Sequence, residues 1–228
     1  MPVTIAFISQ KGGVGKSTLA RAIAAVAAHA KLKVRVADLD TQQGTIERWG
    51  RARKENRVAP AIKIESHANV AAALVNASTD DLLIIDAPGH VSAETLDMAR
   101  AATLVVQPTG PSLDDLHPAT LVFHALAQSG IPKSRLVFAL CRTGTKDEED
   151  AAREYLTETG FEVLPGSIPE KVAYRQALNF GKALTETDDG TLNERADRLL
   201  ESLLMKVAAE IDTTSDIAAN LRKLGGAA

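Results

Sequence analysis

The chain has 228 residues, 45% of them hydrophobic and 24% charged, with 26 basic against 29 acidic side chains and a net charge of −3. That length suits one compact domain, and the charge excludes a strongly basic nucleic-acid protein while leaving room for a local basic patch. A single cysteine, Cys141, excludes a disulfide scaffold, a multi-cysteine zinc site or an iron–sulfur cluster built from this chain alone, and makes a reducing cytoplasm the expected compartment.

In chain order, residues 3–9 form a short, β-branched apolar run, a helical pattern follows from 15 to about 31, and 33–38 is strand-like again. Further apolar runs are read at 61–65, 82–86, 103–107, 136–141 and 162–168, with helical stretches between them near 45–53, 92–101, 114–127 and 148–159. Short continuous apolar strands alternating with helices predict a doubly wound α/β domain, its mostly parallel sheet covered by helices on both faces. A last long helix, 192–211, places Leu192, Ala196, Leu199, Leu200, Leu203, Leu204, Val207 and Ile211 on one apolar stripe. The expected division is a domain over 1–212 and a C-terminal helix or tail over 213–228. The longest apolar run, 22–30, contains His29 and lies between Arg21 and Lys31, well short of the roughly 20 residues of a membrane span, and the N-terminus lacks the pattern of a signal peptide.

Directly after the first strand stands Gln10-Lys11-Gly12-Gly13-Val14-Gly15-Lys16-Ser17-Thr18, opening into a helix. Glycines let successive backbone N–H groups converge on phosphate oxygens, the helix N-terminus adds partial positive charge, Lys16 reaches the β- and γ-phosphates, and the Ser17 hydroxyl suits Mg²⁺. The loop carries a second lysine, Lys11, and Gln10 where the first glycine of such loops usually stands. Lys16 suffices for the nucleotide of its own subunit. Lys11 is therefore either a solvated surface lysine or a cation for phosphates elsewhere, such as those of a facing subunit.

The segment 11–17 resembles the deviant Walker A motif of the ParA/MinD ATPases, which position DNA, protein clusters or division proteins in bacteria. The resemblance extends to 34–42, similar to the family's second-strand motif, and to Leu82-Leu83-Ile84-Ile85-Asp86-Ala87-Pro88-Gly89, similar to its Walker B and switch II segment. Pro108, Pro169 and Phe180-Gly181-Lys182 resemble elements that flank the base and close the fold, so the similarity covers roughly 3–210. The family implies ATP and Mg²⁺ as ligands, an ATP-dependent homodimer, and a ParB-like cargo adaptor that stimulates hydrolysis.

Asp86 ends an apolar strand, where ligands sit in parallel sheets, and is assigned to Mg²⁺, through water. The resemblance gives Asp40 the positioning of the attacking water and Asp38 the support of the metal site. A helix-cap or turn role is the other reading of Asp38 and Asp40. Ala87 rather than glutamate follows Asp86, so turnover is expected to be slow. Thr41 replaces the family's proline in switch I, which leaves that loop less constrained. Trp49, the only tryptophan, is expected to pack on the sheet, and the five histidines show no metal spacing.

For the surface that such a dimer would hold, DNA is the first expectation. Arg195, Arg198 and Lys206 share one sector of the last helix, and Lys171 and Arg175 after Pro169 extend it; Ala173 stands where family members often carry arginine. The other reading of these residues is a solvated charged face. A MinD-like membrane helix over 215–224, with Ile217, Leu221 and Leu224 on its apolar side, is the alternative, and a non-partition P-loop enzyme another. A start at residue 3 leaves no room for a helix-turn-helix before the ATPase.

Overall fold

The computed structural model describes residues 2–75, 77–90, 92–211 and 216–226. Among these residues eight strands form the sheet: β1 (Val3–Phe7), β2 (Val34–Asp38), β3 (Lys63–Ser66), β4 (Leu82–Asp86), β5 (Leu104–Thr109), β6 (Leu136–Thr143), β7 (Glu162–Val163) and β8 (Ile168–Pro169). Their order is β3-β2-β4-β1-β5-β6-β7, with β8 also on β6, and every described pairing is parallel. The expected doubly wound, P-loop architecture is therefore the one observed.

Alternation along the buried strands assigns residues to the two faces. Ile5, Phe7, Leu82 and Ile84 pack beneath α1 (Lys16–His29) and α8 (Gly190–Ala209), whereas Ala6, Ile8, Leu83 and Ile85 face α4 (Ala93–Ala101), α5 (Leu113–Gln128) and α6 (Lys146–Glu158). Each face is dry because the helices present apolar stripes; on α8 Ala196, Leu199, Leu200, Leu203, Leu204 and Val207 are buried as expected. Short α3 (Val70–Leu74) joins the α4 side, and α2 (Thr45–Glu55) packs beside α1.

The run expected as one strand over 162–168 is divided into β7 and β8. Gly166 lies between them at φ +82°, and a Cβ there would come within 3.0 Å of the Leu199 backbone nitrogen, so the chain crosses α8 where only glycine fits. This turn brings Ile168 beside Cys141 and Pro169 beside Thr143 at the carboxyl end of β6. The residues after Pro169, to which the sequence reading assigned no element, form α7 (Val172–Asn179). The last helix starts at Gly190, earlier than expected, because the Asp189 carboxylate accepts from the N–H groups of Thr191 and Leu192. The boundary expected at 212/213 and residue 215 of the tail lie outside the described residues. Within the tail, α9 (Asp216–Gly225) packs on α8, with Ala218 and Leu221 fully buried.

Candidate nucleotide site

β1 occupies the middle of the sheet, so its carboxyl end opens between β4 and β5, and β2 follows on the far side of β4. Phe7, Asp86 and Asp38 are register neighbours across these three strands. Sheet topology thus sets two carboxylates beside the glycine loop that leaves β1. Gly13 and Gly15 adopt positive φ, 76° and 117°, and a Cβ on Gly15 would sit 3.1 Å from the Cys141 sulfur. The loop is pressed against β6 by its third glycine, while the buried Val14 anchors it in the core.

A cleft of about 210 Å³ is lined by Gly12, Gly13, Gly15, Lys16, Ser17, Thr18, Arg21, Asp40, Gln43, Thr45 and Gly89. Lys16 Nζ donates to the Lys11 carbonyl at 3.2 Å, bridging the loop across the cleft. Burial pulls its pKa below the ordinary lysine value, against the attraction of Asp86 and Asp40. Gly89, after β4, abuts the same loop: a Cβ there would lie 3.5 Å from Gly12. Lys11 does not line the cleft. Its ammonium is held 2.8 Å from Asp115 Oδ1 on α5.

Ser17 Oγ donates to Asp86 Oδ2 at 2.6 Å. The other oxygen, Asp86 Oδ1, and Asp38 Oδ2 are buried without hydrogen-bond partners. Burial pushes the Asp86 carboxyl up to about 7, reinforced by Asp38 and opposed by Ser17, Lys16 and Arg21; burial likewise raises Asp38, opposed by the Asp40 N–H that donates to it at 3.0 Å. Unpartnered buried carboxylate oxygens are costly until a cation or proton reaches them. Hydroxyl and carboxylate oxygens suit a hard divalent ion such as Mg²⁺. No group of three or more acidic, His or Cys residues that could hold a metal exists among the described residues, so such an ion would complete its shell with phosphate and water oxygens.

Asp40 begins a tight turn: its carbonyl accepts from Gly44 N at 2.9 Å, and its Oδ1 from Gln43 N at 3.3 Å. These backbone bonds, together with Arg48 donating to the Gln43 carbonyl, hold the loop that Thr41 was expected to leave less constrained. Asp40 is half-buried and faces the cleft.

On the other side of the loop lies a cavity of about 390 Å³ that also touches Gly13, Gly15 and Thr18. Its wall is apolar, with Cys141, Ile168, Pro169, Tyr174, Leu178 and Leu184, and its rim carries Arg142, Glu170 and Arg175. A flat heterocycle joined to phosphates in the cleft would fit such a chamber. Pro169 lines it directly; Pro108 is buried under Gly15, where it supports the loop from below.

Of the five basic residues expected to bind DNA, Lys171 lines one groove with Arg195 and Arg198 and a second cavity with Arg175, and Lys206 lines neither. Lys171, Arg195 and Arg198 line a groove of about 780 Å³, together with Glu149, Asp189 and Glu194. Arg195 already donates to Ser167 at 3.2 Å and Glu149 at 3.4 Å. Arg175 donates to Glu170, which also accepts from Arg142 at 3.1 Å. Lys206 is gripped between Glu162 at 2.8 Å and Glu210 at 3.2 Å. Ile217, Leu221 and Leu224, the apolar side of α9, pack into the core. No helix among the described residues is long and apolar enough to cross a membrane.

Two contributors escaped the sequence. Arg21, noted only as the edge of an apolar run, is buried in α1, lines the phosphate cleft, and donates to the Thr45 carbonyl at 3.0 Å. Burial lowers its pKa to about 10. Asp115, the partner of Lys11, is 104 residues away in the chain. Trp49 packs as expected, its Nε1 donating to the Lys182 carbonyl at 3.0 Å.

Residues 5–184 match the family model for the CobQ/CobB/MinD/ParA nucleotide binding domain. No curated protein matches the chain. Among solved structures, the septum site-determining protein MinD from Pyrococcus horikoshii, complexed with Mg-ADP, is similar at TM-score 0.73 and 16% identity, over 93% of this chain and 100% of that one. Apo McdA from Cyanothece aligns at 0.70 and 19%, over 89% and 100%. A ParA family ATPase from Chlorobium tepidum aligns at 0.67 and 18%, over 86% and 97%. At these identities the similarity shows the fold.

Proposed function

The chain belongs to the CobQ/CobB/MinD/ParA nucleotide-binding family, and within it we propose a ParA-like, Mg²⁺-dependent ATPase that dimerises with ATP, holds DNA without sequence preference, and positions a plasmid, chromosome locus or protein cargo. The observation that carries this reading is the division of labour between two loop lysines. Lys16 lines the phosphate cleft, whereas Lys11, from the same loop, is turned to Asp115 outside it. A cation placed there is available to the triphosphate of a facing subunit, where it would relieve the repulsion between two bound nucleotides.

In this reading the loop N–H groups and Lys16 bind the β- and γ-phosphates, Ser17 and Asp86 with Asp38 hold Mg²⁺, and Asp40 orients water at the γ-phosphate. Mg²⁺, when bound, neutralises charge on the phosphate oxygens. With Ala87 following Asp86 there is no adjacent glutamate to act as base, which fits slow turnover and a timing role under the control of a ParB-like adaptor. The commitment of α9 to the core favours DNA over a MinD-like membrane helix as the surface.

Asp40→Ala is expected to retain ATP, stop phosphate release and accumulate a dimer in light scattering. Adding Lys11→Ala should return it to monomer, and Lys16→Ala should abolish nucleotide binding. Wild-type phosphate release by Asp40→Ala would overturn the catalytic assignment; a monomer with Asp40→Ala and ATP would overturn the dimer.

A further inference from the structure

Four cations stand on the outer side of α2 and just beyond its end, where no sequence argument placed a ligand. Arg48, Arg51 and Lys54 recur every three residues on the side opposite the buried Ile46, Trp49 and Arg53, and Arg57 continues the row; all four are exposed. The side chains of Arg51, Lys54 and Arg57 have no hydrogen-bond or ion-pair partner among the described residues, and Arg48 donates only to the Gln43 carbonyl. Glu47 and Glu55 share the helix surface without pairing to them.

The basic residues of α8 are partly spent: Arg195 and Lys206 face carboxylates, whereas Arg198 is exposed without a partner among the described residues, a lone cation against the row of four at α2. Lys206, only 16% exposed, is held between Glu162 and Glu210 at 2.8 and 3.2 Å, so a phosphate would have to displace a carboxylate to reach it, and the more exposed Arg195 meets Glu149 at 3.4 Å. On α2 the phosphates would displace only water and counterions, the exchange that drives binding to a duplex. From Arg48 to Lys54 the helix rises about 9 Å, the axial span of two to three phosphates on one strand. The helix is also rigidly backed: Trp49 is buried, and Arg53 beneath it makes a two-pronged pair with Glu186 at 2.7 and 2.9 Å.

We propose that this face of α2, rather than the α8 stripe, is where the ATP-bound dimer meets the backbone of duplex DNA; the proposal rests on the DNA-binding reading above and names its surface. Location supplies the switch. Thr45, the first residue of α2, lines the phosphate cleft; Gly44 N donates to the Asp40 carbonyl, and Arg21 holds the Thr45 carbonyl. The residue that orients water and the helix that meets DNA are thus one continuous segment, and a change at the γ-phosphate reaches α2 without an intermediary.

The test is fluorescence anisotropy on two unrelated duplexes with Asp40→Ala protein and ATP, across a salt series. Arg51→Gln/Lys54→Gln removes four phosphate contacts from the dimer, so affinity should fall at least about tenfold on both duplexes and the salt slope should shrink by roughly 3 to 4. Arg51→Glu/Lys54→Glu should abolish binding, while Lys171→Gln/Arg198→Gln should lower affinity less than threefold. Dimer sizing confirms that each variant is folded. Unchanged affinity and slope in Arg51→Gln/Lys54→Gln, with the parent protein binding DNA, would overturn the α2 surface and leave the DNA reading standing. No duplex binding by the parent dimer would overturn that reading itself, and ATP-dependent binding to phosphatidylglycerol vesicles would replace it with a membrane.

Discussion

Two buried charged sites flank α1 and differ in how their charge is met. Behind α2, Glu186 is saturated: it accepts two bonds from Arg53, one from the Ala183 N–H at 2.7 Å and one from His29 at 2.9 Å. Burial would raise its pKa, yet these donors hold it below the ordinary glutamate value. At the carboxyl end of β4, Asp86 has one hydroxyl donor and one unpartnered oxygen, and burial pushes it up to about 7. Both carboxylates sit inside the protein, but only the first is neutralised by the chain. A structural carboxylate is paired from within; the carboxylate at the phosphate loop is left short of positive charge, which is what a site for a cation requires.

Breaking the saturated site should cost most. Glu186→Ala strands a buried guanidinium and is expected to lower unfolding free energy by about 3–5 kcal/mol, read as a lower urea midpoint at unchanged slope. Asp86→Asn should act in the opposite direction. In the nucleotide-free protein at pH 8 it removes the penalty of an ionised buried carboxylate, a gain of up to about 4 kcal/mol for a carboxyl displaced to about 7, while Mg²⁺-dependent phosphate release is lost. A destabilised Asp86→Asn protein at that pH would contradict the contrast.

The two sites also predict opposite pH dependence. Between the ordinary carboxyl value and about 7 the folded state holds a proton on Asp86 that the unfolded state has released, so this contribution to stability falls as pH rises through that window. Glu186, held low, contributes above its unfolded value and loses that contribution as pH falls through its folded one. Urea titrations of wild type and Asp86→Asn from pH 5 to 8 should therefore diverge, with the variant gaining relative to wild type as pH rises. The smallest effect is expected at the Lys11–Asp115 pair. With 42% of the lysine side chain exposed, Asp115→Asn should change stability by less than about 1 kcal/mol, so Lys11 can leave its partner at little cost.

Much of this site could be read locally. The glycine loop needs Gly, Lys and Ser at fixed offsets between a strand and a helix, and Asp86 ends a short apolar run whose length and alternation with helical segments read as a buried strand. Contributions made across the sheet were not legible. Nothing near Lys206 in the chain reveals Glu162, 44 positions earlier, and nothing in the post-proline segment distinguishes loop from α7 until Gly166 has steered the chain across α8. Arg21 read as the end of an apolar segment because its partner, the Thr45 carbonyl, is a backbone atom of another helix.

What the sequence determined by itself was the alternation of strand and helix, the phosphate loop and the acidic residues at strand ends, since periodicity, backbone freedom and side-chain chemistry act over a few neighbouring residues. Tertiary structure alone decided which charges remain available. Whether an arginine or a carboxylate is free or neutralised depends on groups dozens of residues away that the β3-β2-β4-β1-β5-β6-β7 order brings together, and in a buried site that pairing outweighs any local preference.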